Sequence, residues 1–326
     1  MDRRVFITIV GGSILAAPLA AEARQAGKAW RIGFVGFQSP GLESRMIEYF
    51  RDRLAELGYV DGHNTSISYR WADGQVGKLR SFAADLVRSQ DVIVAPCGPL
   101  VQAIRELHTT IPLVVRSQDA QSCGSEIAVL DRPGGYTTGA IYFSPDATPR
   151  RLEILKTLIP GLSRLGVLYR PTSDWIQHWG EVEAAARHTG LYLHRAEWTE
   201  PHELPFAFDK AIDDRVGALL TLGDGMTWAR RHLIIEIAAL RKLPVLYDFG
   251  MFPAAEVGLM SYSVDTRALF RHVAEQVDQI LQGRKPGDIP IGRPRKFRLH
   301  INHDAAKALG LKIPRSLQLQ DNKVNE

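Results

Sequence analysis

The chain has 326 residues, of which 45% are hydrophobic and 23% are charged, and its formal net charge is +4. This is an ordinary globular composition that can bury a large core, and the length favours two domains over one. The mild positive charge forms no long basic run and no basic helix with interleaved aromatic residues, so we expect no nucleic-acid partner.

The N-terminus has the pattern of an export signal. Arg3 and Arg4 precede an apolar segment, residues 5–21, and residues 21–23 (Ala-Glu-Ala) supply the small-x-small pattern that a signal peptidase accepts. We therefore predict that residues 1–23 are a signal peptide and that the protein is periplasmic. Adjacent arginines are typical of a twin-arginine signal, but Thr8 stands where a lysine is frequent, so the Tat and Sec routes both stay open. An uncleaved anchor is the alternative.

Apolar runs then alternate with amphipathic segments. The first unit is a strand at residues 31–36, a turn at residues 37–41 and a helix in which Met46, Phe50 and Leu54 recur at helical spacing. Further strands are expected at residues 65–71, 91–95, 112–115 and 138–143. The strand at 65–71 alternates polar and apolar residues, which is typical of a half-buried edge strand.

A second set with the same alternation follows residue 145. Its strands are expected at residues 165–169, 191–195, 218–222, 244–247 and 258–262, and a last strand is expected at residues 297–301. Helices between apolar strands indicate right-handed crossovers and parallel sheets that are covered on both faces.

These two sets predict an α/β fold with two doubly wound parallel-sheet lobes. The hinge is expected near residues 144–146, with return crossings near Tyr262 and residues 285–294. The N-terminal lobe is then expected to comprise residues 28–144 and 263–290, and the C-terminal lobe residues 145–262 and 291–320.

The candidate binding residues lie in the loops that follow the predicted strands, because ligands of such sheets bind beyond the carboxyl ends of the strands. Hydroxyl groups and glycines before helices leave backbone N–H groups free for a carboxylate or phosphate. Carboxylates can bind an ammonium group or sugar hydroxyls, and tyrosines can stack on a flat ligand. The candidates are Gln38, Ser39, Cys97, Gly98, Ser117, Tyr142, Ser144, Thr172, Ser173, Asp224, Asp248 and Tyr262.

Several of these residues also have a purely structural explanation. Thr172 and Ser173 can cap the helix that follows them. Asp224 and Asp248 can be turn residues, and Tyr142 can belong to the core. The sequence leaves both explanations open.

The two cysteines, Cys97 and Cys123, are the only ones in the chain. An oxidising compartment permits a bridge between them, and both follow neighbouring predicted strands. We interpret them as two buried free thiols, with a disulfide as the alternative.

The sequence contains few patterns that indicate catalysis. The glycines at residues 33–36 do not form the dinucleotide fingerprint, and neither a Gly-Lys-Ser/Thr phosphate loop nor a Gly-x-Ser-x-Gly elbow occurs. The histidines are scattered without metal-ligand spacing. We therefore expect no metal, no cofactor and no enzymatic activity; an exported doubly wound enzyme acting on a small polar substrate is the alternative.

Four motifs of the C-terminal third are distinctive. They are Gly-Leu-Met-Ser-Tyr at 258–262, Leu-Gln-Gly-Arg-Lys-Pro-Gly-Asp-Ile-Pro at 281–290, Lys-Phe-Arg-Leu-His-Ile-Asn at 296–302 and Ala-Ala-Lys-Ala-Leu-Gly-Leu-Lys-Ile-Pro at 305–314. With these motifs the chain closely resembles the substrate-binding proteins of ABC transporters in the TrpX-like family. The leader and residues 30–34 fit the same family, so the resemblance spans the whole chain.

The resemblance implies a type I periplasmic binding fold: two lobes joined by three crossings, which close on a small solute without catalysis. It also implies that the loop at residues 96–99 presents backbone amides to a ligand carboxylate, that residues 170–173 line the cleft, and that Asp248 lies near a ligand amino group. Cys97 and Pro99 depart from the small hydroxyl residues frequent in that loop. An aromatic amino acid is therefore only one candidate solute.

We accordingly expect a monomeric receptor that binds a small polar or aromatic, carboxylate-bearing solute and delivers it to an ABC permease in the inner membrane. One alternative is a ligand-sensing partner of a membrane receptor. A LacI-like regulator shares the fold but needs an N-terminal helix-turn-helix at the position of the export signal.

Overall fold

The computed structural model describes residues 29–117, 123, 129–142, 147–171, 173–248, 258–293 and 295–321, with only the backbone described for residues 173–178. The predicted signal peptide, residues 1–23, lies outside the described residues. Within them, two sheets form the centres of two α/β lobes.

The first lobe contains a five-stranded parallel sheet with the strand order β2-β1-β3-β4-β5. Its elements are β1 (Trp30–Gly36), α1 (Pro40–Glu56), β2 (Thr65–Trp71), α2 (Val76–Ser89), β3 (Val92–Pro96), α3 (Pro99–Glu106), β4 (Leu113–Ser117) and β5 (Thr137–Ile141). The predicted edge strand is confirmed, because β2 lies at one edge and most of its residues are only half-buried.

The second lobe contains a six-stranded sheet with the order β11-β10-β9-β8-β6-β7. Its elements are α4 (Ala147–Leu158), β6 (Arg164–Tyr169), α5 (Ser173–Thr189), β7 (Tyr192–Glu197), α6 (Leu204–Asp213), β8 (Ala218–Thr221), α7 (Gly225–Ala229), α8 (Arg231–Leu240), β9 (Val245–Tyr247), β10 (Met260–Val264), β11 (Phe297–Ile301), α10 (His303–Ala308) and α11 (Arg315–Gln318). All neighbouring pairs are parallel except β10 and β11, which pair antiparallel. Short 3-10 turns lie at Pro201–Glu203 and Pro286–Asp288.

Each sheet is buried on both faces, which is why its central strands are continuously apolar. In the first lobe, Phe34 belongs to the core under α1 and Val35 to the core under α2 and α3. In the second lobe, Val167 faces α4 and α5, whereas Leu168 faces α6 and α8. Adjacent residues of one strand therefore serve opposite cores, as the pleat requires.

The chain crosses between the lobes three times: between β5 and α4, between β10 and α9 (Thr266–Leu281), and before β11. Helix α9 returns to the first lobe, where Arg271 donates to Glu56 of α1 from both Nη atoms at 2.7 Å. Residue Gly292 still bonds β5 before the last crossing. The second and third crossings are joined, because the Asp265 amide donates to the Lys296 carbonyl at 2.9 Å.

No helix in the described ranges combines the length and the apolar character that a membrane span needs.

Candidate functional site

The carboxyl ends of the two sheets face each other. The strands β1, β3, β4 and β5 run parallel to one another, so the loops that follow them share one edge of the first sheet. The loops after the parallel strands β6, β8 and β9 share one edge of the second sheet. The two edges meet where Gln38 Nε2, after β1, donates to the carbonyl of Gly225, after β8, at 2.7 Å. We call these two edges the first-lobe rim and the second-lobe rim.

The first-lobe rim rests on a buried ion pair between Glu43 of α1 and Arg116 of β4. The carboxylate lies 3.5 Å from Arg116 Nη1, and both residues are buried. Glu43 Oε1 also accepts from the Gln38 amide at 2.9 Å, and Arg116 Nη2 donates to the Val35 carbonyl at 2.8 Å. Neither charge could be removed alone without leaving the other buried and uncompensated, so the pair fixes the loop after β1 to the centre of the sheet.

Aromatic rings make the burial of Arg116 possible. Its guanidinium carbon lies 4.9 Å from the ring centroid of Phe34 and 5.2 Å from that of Phe270. Both separations fall within the range of cation–π attraction, which offsets part of the lost hydration. The arginine therefore links β1, β4 and α9 directly beneath the rim.

Ser117 and Tyr142 lie side by side at the ends of β4 and β5. The Tyr142 amide donates to the Ser117 carbonyl at 3.0 Å. The Ser117 hydroxyl is buried and has no hydrogen-bond partner among the described residues. Burial raises the pKa of Tyr142, while the nearby Arg116 charge opposes that rise. The phenol is therefore neutral at physiological pH and can donate a hydrogen bond.

The loop after β3 is held by a disulfide between Cys97 and Cys123, whose Cα atoms are 5.1 Å apart. The interpretation of these cysteines as free thiols is therefore wrong: the fold brings the end of β3 and the segment after β4 together, a proximity that sequence spacing does not determine. Gly98, next in the loop, has φ of +95°, a conformation that strongly favours glycine. It precedes α3, and the Cys97 amide donates to the Arg116 carbonyl at 3.1 Å.

On the second-lobe rim, Asp224 is engaged by protein groups at both carboxylate oxygens. It caps α7, because Oδ1 accepts from the Thr227 amide at 2.7 Å and from the Thr227 hydroxyl at 2.9 Å. Its Oδ2 accepts from Arg170 Nη1 at 2.9 Å. The guanidinium carbon of Arg170 lies 5.6 Å from the ring centroid of the buried Trp198, so the aspartate is tied to the core of its lobe.

Asp248, at the end of β9, joins three segments of the second-lobe rim. Its Oδ1 accepts from the Thr221 hydroxyl at 3.0 Å, and its Oδ2 accepts from the Gly223 amide at 2.8 Å. Arg151 of α4 donates to the Asp248 carbonyl at 3.3 Å and to the Tyr262 carbonyl at 3.0 Å. Burial raises the pKa of Asp248, and the charge of Arg151 together with these hydrogen bonds opposes the rise.

The predicted residues are therefore distributed as follows. Ser117 and Tyr142 are adjacent, and the loops of Asp224 and Asp248 are joined through Gly223. The ring of Tyr262 stacks on that of Phe297, with the ring centroids 5.5 Å apart, and packs against the core of the second lobe. Ser39 precedes α1, and its side chain makes no capping hydrogen bond. Ser144 and Thr172 lie outside the described residues, and for Ser173 only the backbone, at the start of α5, is described.

Sequence reasoning missed three of the charged residues that support the rims, namely Glu43, Arg116 and Arg151. The fourth, Arg170, lies in the loop at residues 170–173 that the resemblance assigned to the cleft. One signal was available. Arg116 continues an apolar strand, and Arg151 shares a helical stripe with Leu155 and Leu158. A charged residue at a position that the pattern assigns to the core indicates a buried partner.

Two doubly wound lobes joined by three crossings, with polar strand-end loops that face each other, define a protein of the type I periplasmic binding fold. Solved structures agree. A protein from Streptococcus pneumonia, described as an ABC domain in complex with L-Trp, matches with a TM-score of 0.81 at 23% identity, covering 90% of this chain and 99% of that chain. A ligand-free, open substrate-binding protein with adhesive properties from Clostridium difficile matches with a TM-score of 0.69 at 21% identity, covering 88% and 96%.

The chain belongs to the family of ABC transporter substrate-binding proteins, whose family model matches residues 37–325. A curated relative, the tyrosine-binding protein of Clostridioides difficile (strain R20291), is 26% identical in an alignment of 274 positions that covers 80% of this chain and 75% of that protein. The family consists of substrate-binding proteins, not enzymes, so the prediction that the chain is not an enzyme is confirmed.

Proposed function

We propose that the chain is the solute receptor of an ABC importer, and that it closes its two lobes on a small polar or aromatic, carboxylate-bearing solute. The observation that carries this proposal is the pair of polar rims on separate lobes that approach to hydrogen-bond distance at Gln38 and Gly225. The tyrosine-binding relative and the structure containing L-Trp make aromatic amino acids the first candidates.

The proposed ligand contacts lie on both rims. On the first-lobe rim, the buried Ser117 hydroxyl and the phenol of Tyr142 are oriented by β4 and β5, next to the loop of Cys97 and Gly98. On the second-lobe rim, Asp248 and the loops of Asp224 and Arg170 face them. Donors on one lobe and carboxylates on the other suit a solute that carries a carboxylate and a second polar group.

The cellular setting is part of the same proposal. Residues 1–23 direct export, and the disulfide between Cys97 and Cys123 is the kind of bond that persists in an oxidising compartment such as the periplasm. The receptor acts there as a monomer and delivers its solute to a permease of the inner membrane. N-terminal sequencing of the exported protein tests the export signal, with Arg24 expected as the first residue; retention of Met1 contradicts it.

Titration calorimetry with a small panel tests the binding function. The panel is L-tyrosine, L-tryptophan, 4-hydroxyphenylacetate and adenosine, which separate the amino group, the carboxylate and the aromatic ring. We expect at least one carboxylate of the panel to bind, and we expect its saturation to reduce the radius of gyration in solution scattering. Binding of adenosine alone, or binding without compaction, contradicts the proposed solute class or the closure.

A further inference from the structure

The contact between the two rims involves protein groups from both lobes. Besides the hydrogen bond from Gln38 to Gly225, the backbone of Gly225 lies against the ring of Phe37. A Cβ atom built on Gly225 would lie 2.7 Å from Phe37 Cδ1 and Cε1, closer than real Cβ atoms approach a neighbour. This contact, which we call the rim latch, consists of Phe37, Gln38 and Gly225.

On the first-lobe side, the latch is held in place. The Phe37 carbonyl accepts from the Gly74 amide at 2.8 Å, and the Gln38 amide donates to the buried Glu43 at 2.9 Å. Glu43 is in turn paired with Arg116 inside the sheet. The side chain of Gln38 therefore projects from an anchored loop, so little conformational entropy is lost when it contacts the other lobe.

On the second-lobe side, Gly225 is the first residue of α7 and follows Asp224. That aspartate is fixed by Thr227 within the helix and by Arg170 from the end of β6. The Gly225 carbonyl is thus presented at a defined position. The absence of a side chain at this residue is what allows the Phe37 ring to approach the backbone.

We propose that the rim latch is a closing contact that stabilises the closed state by itself, whichever solute occupies the cleft. This inference rests on the proposed function. It assigns Gln38 to the equilibrium between open and closed lobes and not to contact with the solute. Since the apparent dissociation constant equals the intrinsic one divided by the fraction of competent closed protein, weakening the latch changes the affinity for every solute by the same factor.

Gly225→Ala is the main test, with Gly77→Ala as the matched control. The added methyl group clashes with Phe37 only when the lobes are closed, whereas at Gly77 of α2 a Cβ has no neighbour within 4 Å. Alanine is also a better helix former than glycine, so the variant lobe should fold normally. Gln38→Leu is the second variant, because it removes the hydrogen bond but keeps a side chain of similar size.

Single-molecule FRET on the unliganded protein, with one dye on each lobe, measures the closed fraction directly. We expect this fraction to fall about 3- to 10-fold in Gly225→Ala and in Gln38→Leu, the size of one lost hydrogen bond or tight contact, and to be unchanged in Gly77→Ala. Equal closed fractions in the wild type and both latch variants overturn the proposal. A single distance between the dyes that is the same in the wild type and in every variant also overturns it.

Calorimetry with L-tyrosine, L-tryptophan and 4-hydroxyphenylacetate adds a second readout. For those that bind, the ratio of variant to wild-type dissociation constants should be the same for each; unequal ratios mean that Gln38 contacts the solute and overturn the latch. If none of the three binds, the aromatic candidates for the solute are excluded. The FRET measurement needs no solute, so it still tests whether the latch stabilises the closed state.

Discussion

At the scale of single residues, the carboxylates of the site already accept hydrogen bonds from other groups of the protein. Asp224 uses both carboxylate oxygens to cap α7 and to bind Arg170, and Asp248 uses both to hold Thr221 and Gly223. These aspartates therefore position the loops of the second-lobe rim. Losing either one is therefore expected to disturb geometry as well as charge.

Replacement of Asp248 by asparagine tests this. The amide can accept through only one atom, so either Gly223 or Thr221 loses its acceptor. We expect the affinity for the solute to fall about 10-fold or more, at a cost of about 1–2 kcal/mol in the free energy of unfolding. Calorimetry and urea unfolding measure the two effects.

Asp209→Asn is the control for that substitution, because the exposed carboxylate of Asp209, on α6, pairs with Arg241 at the C-terminal end of α8. It should leave affinity unchanged. Unchanged affinity in Asp248→Asn as well would remove this residue from the proposed site.

The disulfide gives a second residue-scale prediction. Its two cysteines are 26 positions apart, and closing a loop of that length lowers the entropy of the unfolded chain enough to stabilise the fold by about 3.5 kcal/mol. The double variant Cys97→Ala/Cys123→Ala should therefore be less stable by roughly that amount in urea unfolding. Dithiothreitol should destabilise the wild type to the same level and leave the double variant unaffected. Equal stability of the oxidised wild type and the double variant contradicts a formed bridge.

At the scale of elements, helix α9 packs on a different lobe from the strand that precedes it. It follows the last parallel strand of the second lobe but packs on α1 of the first, where Glu56 accepts from Arg271 and Arg53. These hydrogen bonds, first from Arg271 and then from Arg53, lower the pKa of Glu56 to about 2. The contact is exposed, so water and salt weaken it.

The stability of this helix contact should depend on pH. A carboxyl whose pKa is lowered in the folded state stabilises the protein above its unfolded pKa, near 4.3, and loses that contribution as the pH falls toward about 2. Glu56→Gln should therefore lower the free energy of unfolding slightly at pH 6–7, and the difference from wild type should shrink on acidification. Urea unfolding across this range measures the difference.

Glu48→Gln, on the same helix and exposed, provides the comparison. A difference between wild type and Glu56→Gln that stays constant from pH 7 to pH 3 would show that the glutamate contributes by packing and not by charge.

At the scale of the whole molecule, each lobe has its own two cores, and the lobes are joined by three crossings and by the rim contact. A solute that touches both rims binds only the arrangement in which both lobes are folded. Ligand binding should therefore stabilise the lobes together.

Thermal unfolding with a carboxylate-bearing solute of the panel that binds tests this coupling. At 100 times its dissociation constant, a bound solute should add about 2.7 kcal/mol to the free energy of unfolding and shift the transition of both lobes together. Adenosine at equal concentration serves as the control. A calorimetric trace in which only one of two transitions moves would show that the solute binds a single lobe.

Much of the fold was predictable because strands and helices that are buried on one or both faces carry periodic apolar patterns. The strands at the centre of both sheets and the edge position of β2 follow from that pattern alone. The antiparallel pairing of β11 with β10 did not follow, since a strand's direction depends on where the chain re-enters the sheet after its third crossing.

The sequence by itself determined the α/β alternation and the two-lobed class, because the apolar periodicity that predicts a buried strand or helix is a local property of each segment. Only the tertiary structure decided that Cys97 meets Cys123, that Arg116 pairs with Glu43, and that Gln38 reaches Gly225 across the cleft. These contacts join residues 26, 73 and 187 positions apart. Their partners are selected by how the strands are ordered and how the lobes face each other, and no local pattern encodes that choice.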